Sequence, residues 1–295
     1  MSSGSGHRAP FGARLRAALG SRGNLCVGID PHPALLEAWG LGVDAAGVAE
    51  FSRRSLEAFG DLVPAVKPQV AFFEEHGAAG VAALEEVLDG IASAGALSVA
   101  DAKRGDIGST MAGYARAWLR DGSPLACDAL TVSPYLGVGA LDAAFEAAAG
   151  AGRGLFVLAR TSNPEAGPLQ RAEAGGATVA QSVVDEVARR NATIDRGDDP
   201  TSPGPFGVVV GATVDDAPRL DELHGPVLMP GVGQQGATID DARRIAGPAF
   251  GHTLVNVSRH VLRAGPDVAA MRDVVLDLTM AARVTARGDG ADGAP

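Results

Sequence analysis

The sequence predicts a closed (β/α)8 barrel of the α/β class (a TIM barrel), and three observations predict it. Short apolar, β-rich runs alternate along the chain with longer Ala/Leu/Val-rich segments of helical period, the pattern of repeated βα units. The length, 295 residues, is ordinary for one such barrel of about 250 residues with insertions. Charged residues interrupt the apolar runs at their ends, on the rim where barrels carry their chemistry.

The elements follow in order. A helix over 11–19 is extra to the repeat and caps the bottom of the barrel. Strands are predicted at 24–30, 62–67, 97–101, 129–132, 154–159, 206–210, 227–229 and 253–257. The helices that alternate with them are predicted at 44–59, 77–94, 109–120, 139–149, 176–190, 215–223, 239–246 and 267–282. The catalytic barrel spans 11–284, with a polar Pro/Gly/Asp insertion over 191–205 read as a surface loop. Residues 1–10 lack an apolar signal core and read as a disordered leader, and 285–295 as a disordered tail. There is no internal repeat and no second domain. An open doubly wound sheet is the alternative fold, but no Gly-x-Gly-x-x-Gly follows the first strand.

Composition narrows the function. A net charge of −10 disfavours nucleic acid and anionic membranes as partners, so an anionic substrate needs a local pocket. No apolar run approaches the roughly 18 residues that span a bilayer. Cys26 and Cys127 sit in or beside apolar runs and read as reduced structural residues of a cytoplasmic protein. The six histidines show no H-x-x-x-H or clustered carboxylate spacing, which argues against a metal, and nothing suggests a cofactor.

One bias is informative. Of 25 basic residues, only Lys67 and Lys103 are lysines. A chain so weighted towards arginine keeps lysine where a compact ammonium or a transferable proton is needed. Both fall at the ends of predicted strands, as do Asp30 and Asp101. Solvated loop charges or helix N-caps would explain any one of these, but four in the first three units make that explanation weak. Period-two alternation sends Asp101 and Lys103 to one side, and Asp106 opens the next helix, where the macrodipole favours a carboxylate. The result is an alternating network of Asp30, Lys67, Asp101, Lys103 and Asp106. Its carboxylates keep the ammonium groups protonated. An anionic substrate group near Asp101 would be repelled, and its loss as CO2 would relieve that repulsion. Lys103 would stabilise the carbanion left behind and protonate it.

The segment Asp101-x-Lys103-x-x-Asp106-Ile107-x-x-Thr110 resembles the signature of the orotidine 5′-phosphate decarboxylase family. LCVGIDPH, AVKPQVAFFE, LARTSNP, PGVGQQG and NVSRHV match in order, over about 25–263. TVSPYLG and the insertion before the sixth strand resemble the longer bacterial (type 2) subfamily. The resemblance implies conversion of orotidine 5′-phosphate to UMP, the last step of de novo UMP biosynthesis, without metal or cofactor. It implies that Lys103 protonates C6, that Asp101 faces the departing carboxylate, and that Lys67 and Asp30 link the network to the ribose hydroxyls. It places Ser162 at the pyrimidine edge, and Gln235, Arg259 and the amide of Ser258 at the phosphate. Family members often carry glycine where this chain has Ser258. Asp106, Ile107 and Thr110 would reach the neighbouring subunit's site, which implies a homodimer with shared active sites.

The residues agree on the phosphate end. Pro230-Gly231-Val232-Gly233 lets backbone approach a ligand, and Arg259 offers a bidentate partner. Phe72 and Phe73 read as packing under the second βα loop. Two other readings stand beside this one. Phosphosugar decarboxylases and hexulose-phosphate synthases share the D-x-K-x-x-D core but use Mg2+. A non-catalytic phosphate-binding barrel is the other, and it would gain little from burying repelling carboxylates.

Overall fold

The computed structural model describes residues 8–195, 201–233 and 236–287. Eight parallel strands run in chain order around a closed barrel: β1 (Leu25–Ile29), β2 (Ala65–Pro68), β3 (Leu97–Arg104), β4 (Ala129–Val132), β5 (Gly154–Arg160), β6 (Phe206–Val210), β7 (Val227–Pro230) and β8 (Thr253–Val257), which pairs back onto β1.

Alternation along each strand sorts side chains into two cores. Val27, Val66, Ala100, Leu130, Val157, Val208, Met229 and Val255 face outward and pack under the helices. Cys26, Ala65, Val99, Ala129, Phe156, Val209, Leu228 and Leu254 face inward and fill the lumen. The first helix, α1 (Phe11–Arg22), closes the bottom by adding Phe11, Leu15 and Leu19 to that inner core. The Phe11 ring meets Phe156 edge-on, with centroids 6.2 Å apart.

The surrounding helices are α2 (Ala45–Phe59), α3 (Gly77–Ser93), α4 (Gly108–Leu119), α5 (Asp142–Gly150), α6 (Val179–Ala192), α7 (Ile239–Ala246) and α8 (Val268–Arg287). Their starts follow local chemistry. Asp44 caps α2 by accepting from the Gly47 amide, and Thr238 with Asp241 forms a capping box on α7.

The helix expected at 215–223 is absent, and the segment runs as turns and coil. Pro218 lacks the amide a helix needs and disfavours the helical conformation at Ala217. Asp216 is drawn instead to Arg160, and the Arg219 amide donates to the Gln181 side chain. Val214, Leu220 and Leu223 are buried all the same, so the apolar spacing was real and its helical reading was wrong.

Residues 196–200 of the expected surface insertion lie outside the described residues. The parts that are described are packed: Asn191 is buried and bonds the Phe206 backbone at both its amide and carbonyl, and 202–205 are buried too. Residues 1–7 and 288–295 also lie outside the described residues. Arg8 pairs with Asp128 at 3.2 Å, and α8 continues to Arg287.

Candidate active site

Above the lumen's apolar layers, the inward positions turn polar: Lys67 on β2, Asp101 on β3, Thr131 on β4 and Asn256 on β8. They lie beneath or beside a cavity of about 320 Å3 at the C-terminal end of the barrel.

Asp101 is the hub. Its Oδ1 accepts from Lys103 Nζ at 2.6 Å and from Thr131 Oγ1 at 3.0 Å. Its Oδ2 accepts from Lys67 Nζ at 2.9 Å and, in the amide orientation its neighbours require, from the Gln69 side-chain nitrogen at 2.5 Å. Gln69 then accepts from Lys103 Nζ at 3.2 Å. Four donors thus fill the carboxylate's lone-pair positions. Burial alone would raise its pKa; the charges of Lys67 and Lys103 and their hydrogen bonds reverse that and hold it well below the usual carboxylate range. Burial likewise pulls Lys67 down, but the charges of Asp101 and then Asp30 overturn it and leave the ammonium pKa above the ordinary lysine value.

The two lysines differ in access. The Lys67 side chain is 5% exposed and that of Lys103 is 44% exposed, so only the second ammonium opens freely into the cavity. Asp30 stands 4.0 Å from Lys67 Nζ, and its Oδ1 is buried without a hydrogen-bond partner among the described residues. Such an atom fits a donor brought by a ligand.

The alternation argument for Asp101 and Lys103 reached the right pair for the wrong reason. β3 does not end at Asp101; it continues to Arg104 through a register shift against β4. Lys103 lies at φ +49, in the left-handed region, so regular alternation fails there. The ion pair itself brings the two side chains together.

Ser162, Pro230, Ser258 and Arg259 line the same cavity as Asp30, Lys67, Asp101 and Lys103. Gly231 and Gly233 take φ of +111 and +83, the turn that carries β7 away from the cavity. Ser258 explains another glycine: a Cβ on Gly28 would collide with Ser258 Oγ. Gln235 lies outside the described residues. Asp106, Ile107 and Thr110 do not line the cavity. α4 begins at Gly108 rather than at Asp106, whose Oδ1 accepts from the adjacent Ile107 amide instead of capping the helix.

Sequence reasoning missed Gln69, Thr131, Asn256, Thr161 and Asn163. It also missed Arg160, buried at the end of β5, which bonds Asp216 at 2.9 Å while Gln170 accepts from the Thr161 amide at 2.8 Å. That network ties down the loop bearing Ser162. His32 packs on the Phe72 ring, centroids 4.3 Å apart, and Phe73 is buried.

With this geometry in place, comparison decides the family: residues 23–274 match the orotidine 5′-phosphate decarboxylase/HUMPS family. The chain belongs to that family. An orotidine 5′-phosphate decarboxylase of Corynebacterium efficiens is 55% identical over 269 residues, covering 90% of this chain and 94% of the relative. One of Streptomyces coelicolor is 54% identical over 265 residues, covering 89% and 93%. Among solved structures, a Streptomyces avermitilis protein assigned the same activity superposes with a TM-score of 0.90 at 50% identity, covering 96% of this chain and 98% of the other. The Leishmania donovani OMP decarboxylase does so with a TM-score of 0.71 at 29% identity, covering 93% and 99%. Within this orotidine 5′-phosphate decarboxylase/HUMPS member, no described helix is long and apolar enough to cross a membrane.

Proposed function

We propose that the chain converts orotidine 5′-phosphate to UMP and CO2, the last step of de novo UMP biosynthesis. The observation that carries the reading is the four-donor Asp101 carboxylate beside the open ammonium of Lys103 in a ligand-sized cavity.

Asp101 stays anionic because its proton sites are filled by cationic and neutral donors. A substrate carboxylate placed against it is repelled, and breaking the C6–carboxylate bond releases that group as neutral CO2. The electron pair stays on C6, where Lys103 Nζ stabilises it and then delivers a proton; solvent restores the ammonium. Lys67 holds Asp101 in place from below, and Asp30 takes the ribose hydroxyls. Ser162 meets the pyrimidine edge. Arg259, the Ser258 amide, the backbone at Pro230 and Gln235 hold the phosphate. The barrier must fall by something on the order of 20 kcal/mol, so these remote contacts contribute along with the lysine. The reaction runs in this reading without metal or cofactor.

The active unit is a homodimer in which Asp106, Ile107 and Thr110 serve the partner's site. Ile107 is 61% exposed on the rim and Tyr135, on the next βα loop, is 77% exposed, an apolar surface suited to a second copy. The protein works in the cytoplasm, with no nucleic-acid or membrane partner. Cys26 and Cys127 suit that compartment: both are free and buried, and burial pushes each thiol up to about 12.

An absorbance assay of purified protein with orotidine 5′-phosphate in EDTA tests the reading. Steady loss of substrate with formation of UMP supports it; no loss sinks it. Turnover that EDTA abolishes would point to the Mg2+-dependent sister enzymes.

A further inference from the structure

We infer that Thr131 is a positioning residue for the reaction, setting both the aim of Asp101 and the path of Lys103. The inference rests on the decarboxylase reading above, and Thr131 itself lies beneath the cavity without lining it.

The register of β3 against β4 singles this residue out. Ala100 is paired with Leu130 and Arg104 with Val132, so three residues on β3 (Asp101, Ala102 and Lys103) face Thr131 alone. A bulge of this size removes the regular ladder at the point where the chemistry sits. Lys103 also enters the left-handed region at φ +49, which a non-glycine residue holds only when its surroundings enforce it.

Thr131 supplies that enforcement. The residue is fully buried, and its Oγ1 accepts from the Lys103 backbone amide at 2.9 Å while donating to Asp101 Oδ1 at 3.0 Å. A hydroxyl has a single proton, so accepting from Lys103 leaves that proton committed to Asp101. Lys103 Nζ then returns to the same Asp101 oxygen at 2.6 Å and closes a ring through backbone, hydroxyl, carboxylate and ammonium. One buried group therefore fixes the anion and the start of the side chain that carries the cation. Beyond the bulge the strand is gripped again: the Ser133 amide donates to Arg104 O at 2.8 Å, and the Arg104 guanidinium pairs with Glu74 and lies over the Tyr114 and Trp118 rings. Between these anchors, no described residue except Thr131 gives the Lys103 amide an acceptor.

Thr131→Val keeps the shape and removes both hydrogen bonds, whereas Thr131→Ser keeps the hydroxyl. The comparison measures kcat and KM for orotidine 5′-phosphate and the Kd for UMP, against wild-type turnover as the control. Thr131→Val is expected to lower kcat about 10- to 100-fold while KM and the UMP Kd stay within about threefold, and Thr131→Ser to remain within about threefold on all three. A Thr131→Val kcat within threefold of wild type, or a Thr131→Ser enzyme as slow as Thr131→Val, overturns the inference. If Thr131→Val does not fold, as read by the loss of a cooperative urea transition, Thr131→Ala against Thr131→Ser makes the same comparison, and equal kcat values overturn it. Wild-type protein without turnover would instead fail the functional reading.

Discussion

At its two ends the barrel buries a carboxylate under four hydrogen bonds, with lysine at one end and arginine at the other. Asp101 at the C-terminal end is held by Lys67, Lys103, Thr131 and Gln69. Asp128 at the N-terminal end accepts from Arg14 at 2.5 Å, from Arg8 at 3.2 Å, and from the amide and hydroxyl of Ser98 at 2.9 and 3.2 Å. The arginine end works as a fastener. Arg14 also bonds Gly152 O and Ala9 O, and Arg153 pairs with Asp121 and the Cys127 carbonyl, so α1, β3, β4 and the loop before β5 are tied together. A guanidinium suits that work because it carries several donors in fixed directions and never gives up a proton. The lysine end has fewer ties and one accessible ammonium. Both carboxylates are largely buried; what differs between the two ends is the partner cation and the cavity that Lys103 lines at one of them.

Breaking the lysine end separates the two most widely. Lys103→Ala should lower kcat by at least about 10³-fold, with UMP still bound and the melting temperature within about 3 °C of wild type. Breaking the arginine end should give the opposite result. Asp128→Ala removes the acceptor that Arg14 and Arg8 share and leaves the Ser98 amide without its partner. Urea unfolding should show a loss of about 2–3 kcal/mol, with kcat of the folded fraction within about threefold.

A pH series sharpens the contrast. Asp101 has a folded pKa below its unfolded value of 3.8, so its stabilisation is complete above that value and fades only as pH falls through the lower folded value. Lys67 has a folded pKa above 10.5, so its contribution is complete below that value and is lost as pH rises beyond it. Between those limits neither group titrates in the wild type. In Asp101→Asn the buried Lys67 keeps its desolvation and loses its chief counter-charge, so its ammonium pKa falls. The stability deficit of Asp101→Asn should therefore grow as pH is lowered from about 9 to 5. A deficit that does not change across that window would show that Asp101 is not what keeps Lys67 charged. The smallest expected effect is Arg14→Lys, which can still reach Asp128 but loses the bonds to Gly152 O and Ala9 O, at a cost of about 1 kcal/mol in urea unfolding.

Much of this contrast was legible before any coordinates. The two lysines in an arginine-rich chain marked the end that carries the cavity, and short apolar, β-rich runs placed all eight strands. Applying to the other strands the period-two alternation used for Asp101 and Lys103 would have found more. Counting by twos from Ala129 reaches Thr131, and from Leu254 it reaches Asn256 and then Ser258, each a polar residue on an inward position. What alternation could not reveal is where it stops. The left-handed turn at Lys103 depends on β4 and not on the residues of β3, so nothing local announces it. The segment around Pro218 fails in the same way: its spacing of Val214, Leu220 and Leu223 fits a helix, while the choice against one is made by Pro218 and by Arg160 on β5. The arginine fastener was invisible because its members are spread from Arg8 to Arg153 and meet only in the folded barrel.

The central claim is that the lysine end exists to move a proton and not merely to place a positive charge. Lys103→Arg tests it most directly, because it keeps the cation beside Asp101 and removes the transferable proton. With UMP affinity used to confirm a filled site, kcat for orotidine 5′-phosphate should fall about as far as in Lys103→Ala, by at least about 10³-fold. A Lys103→Arg enzyme within about tenfold of wild type would contradict the account and leave Lys103 with an electrostatic role alone.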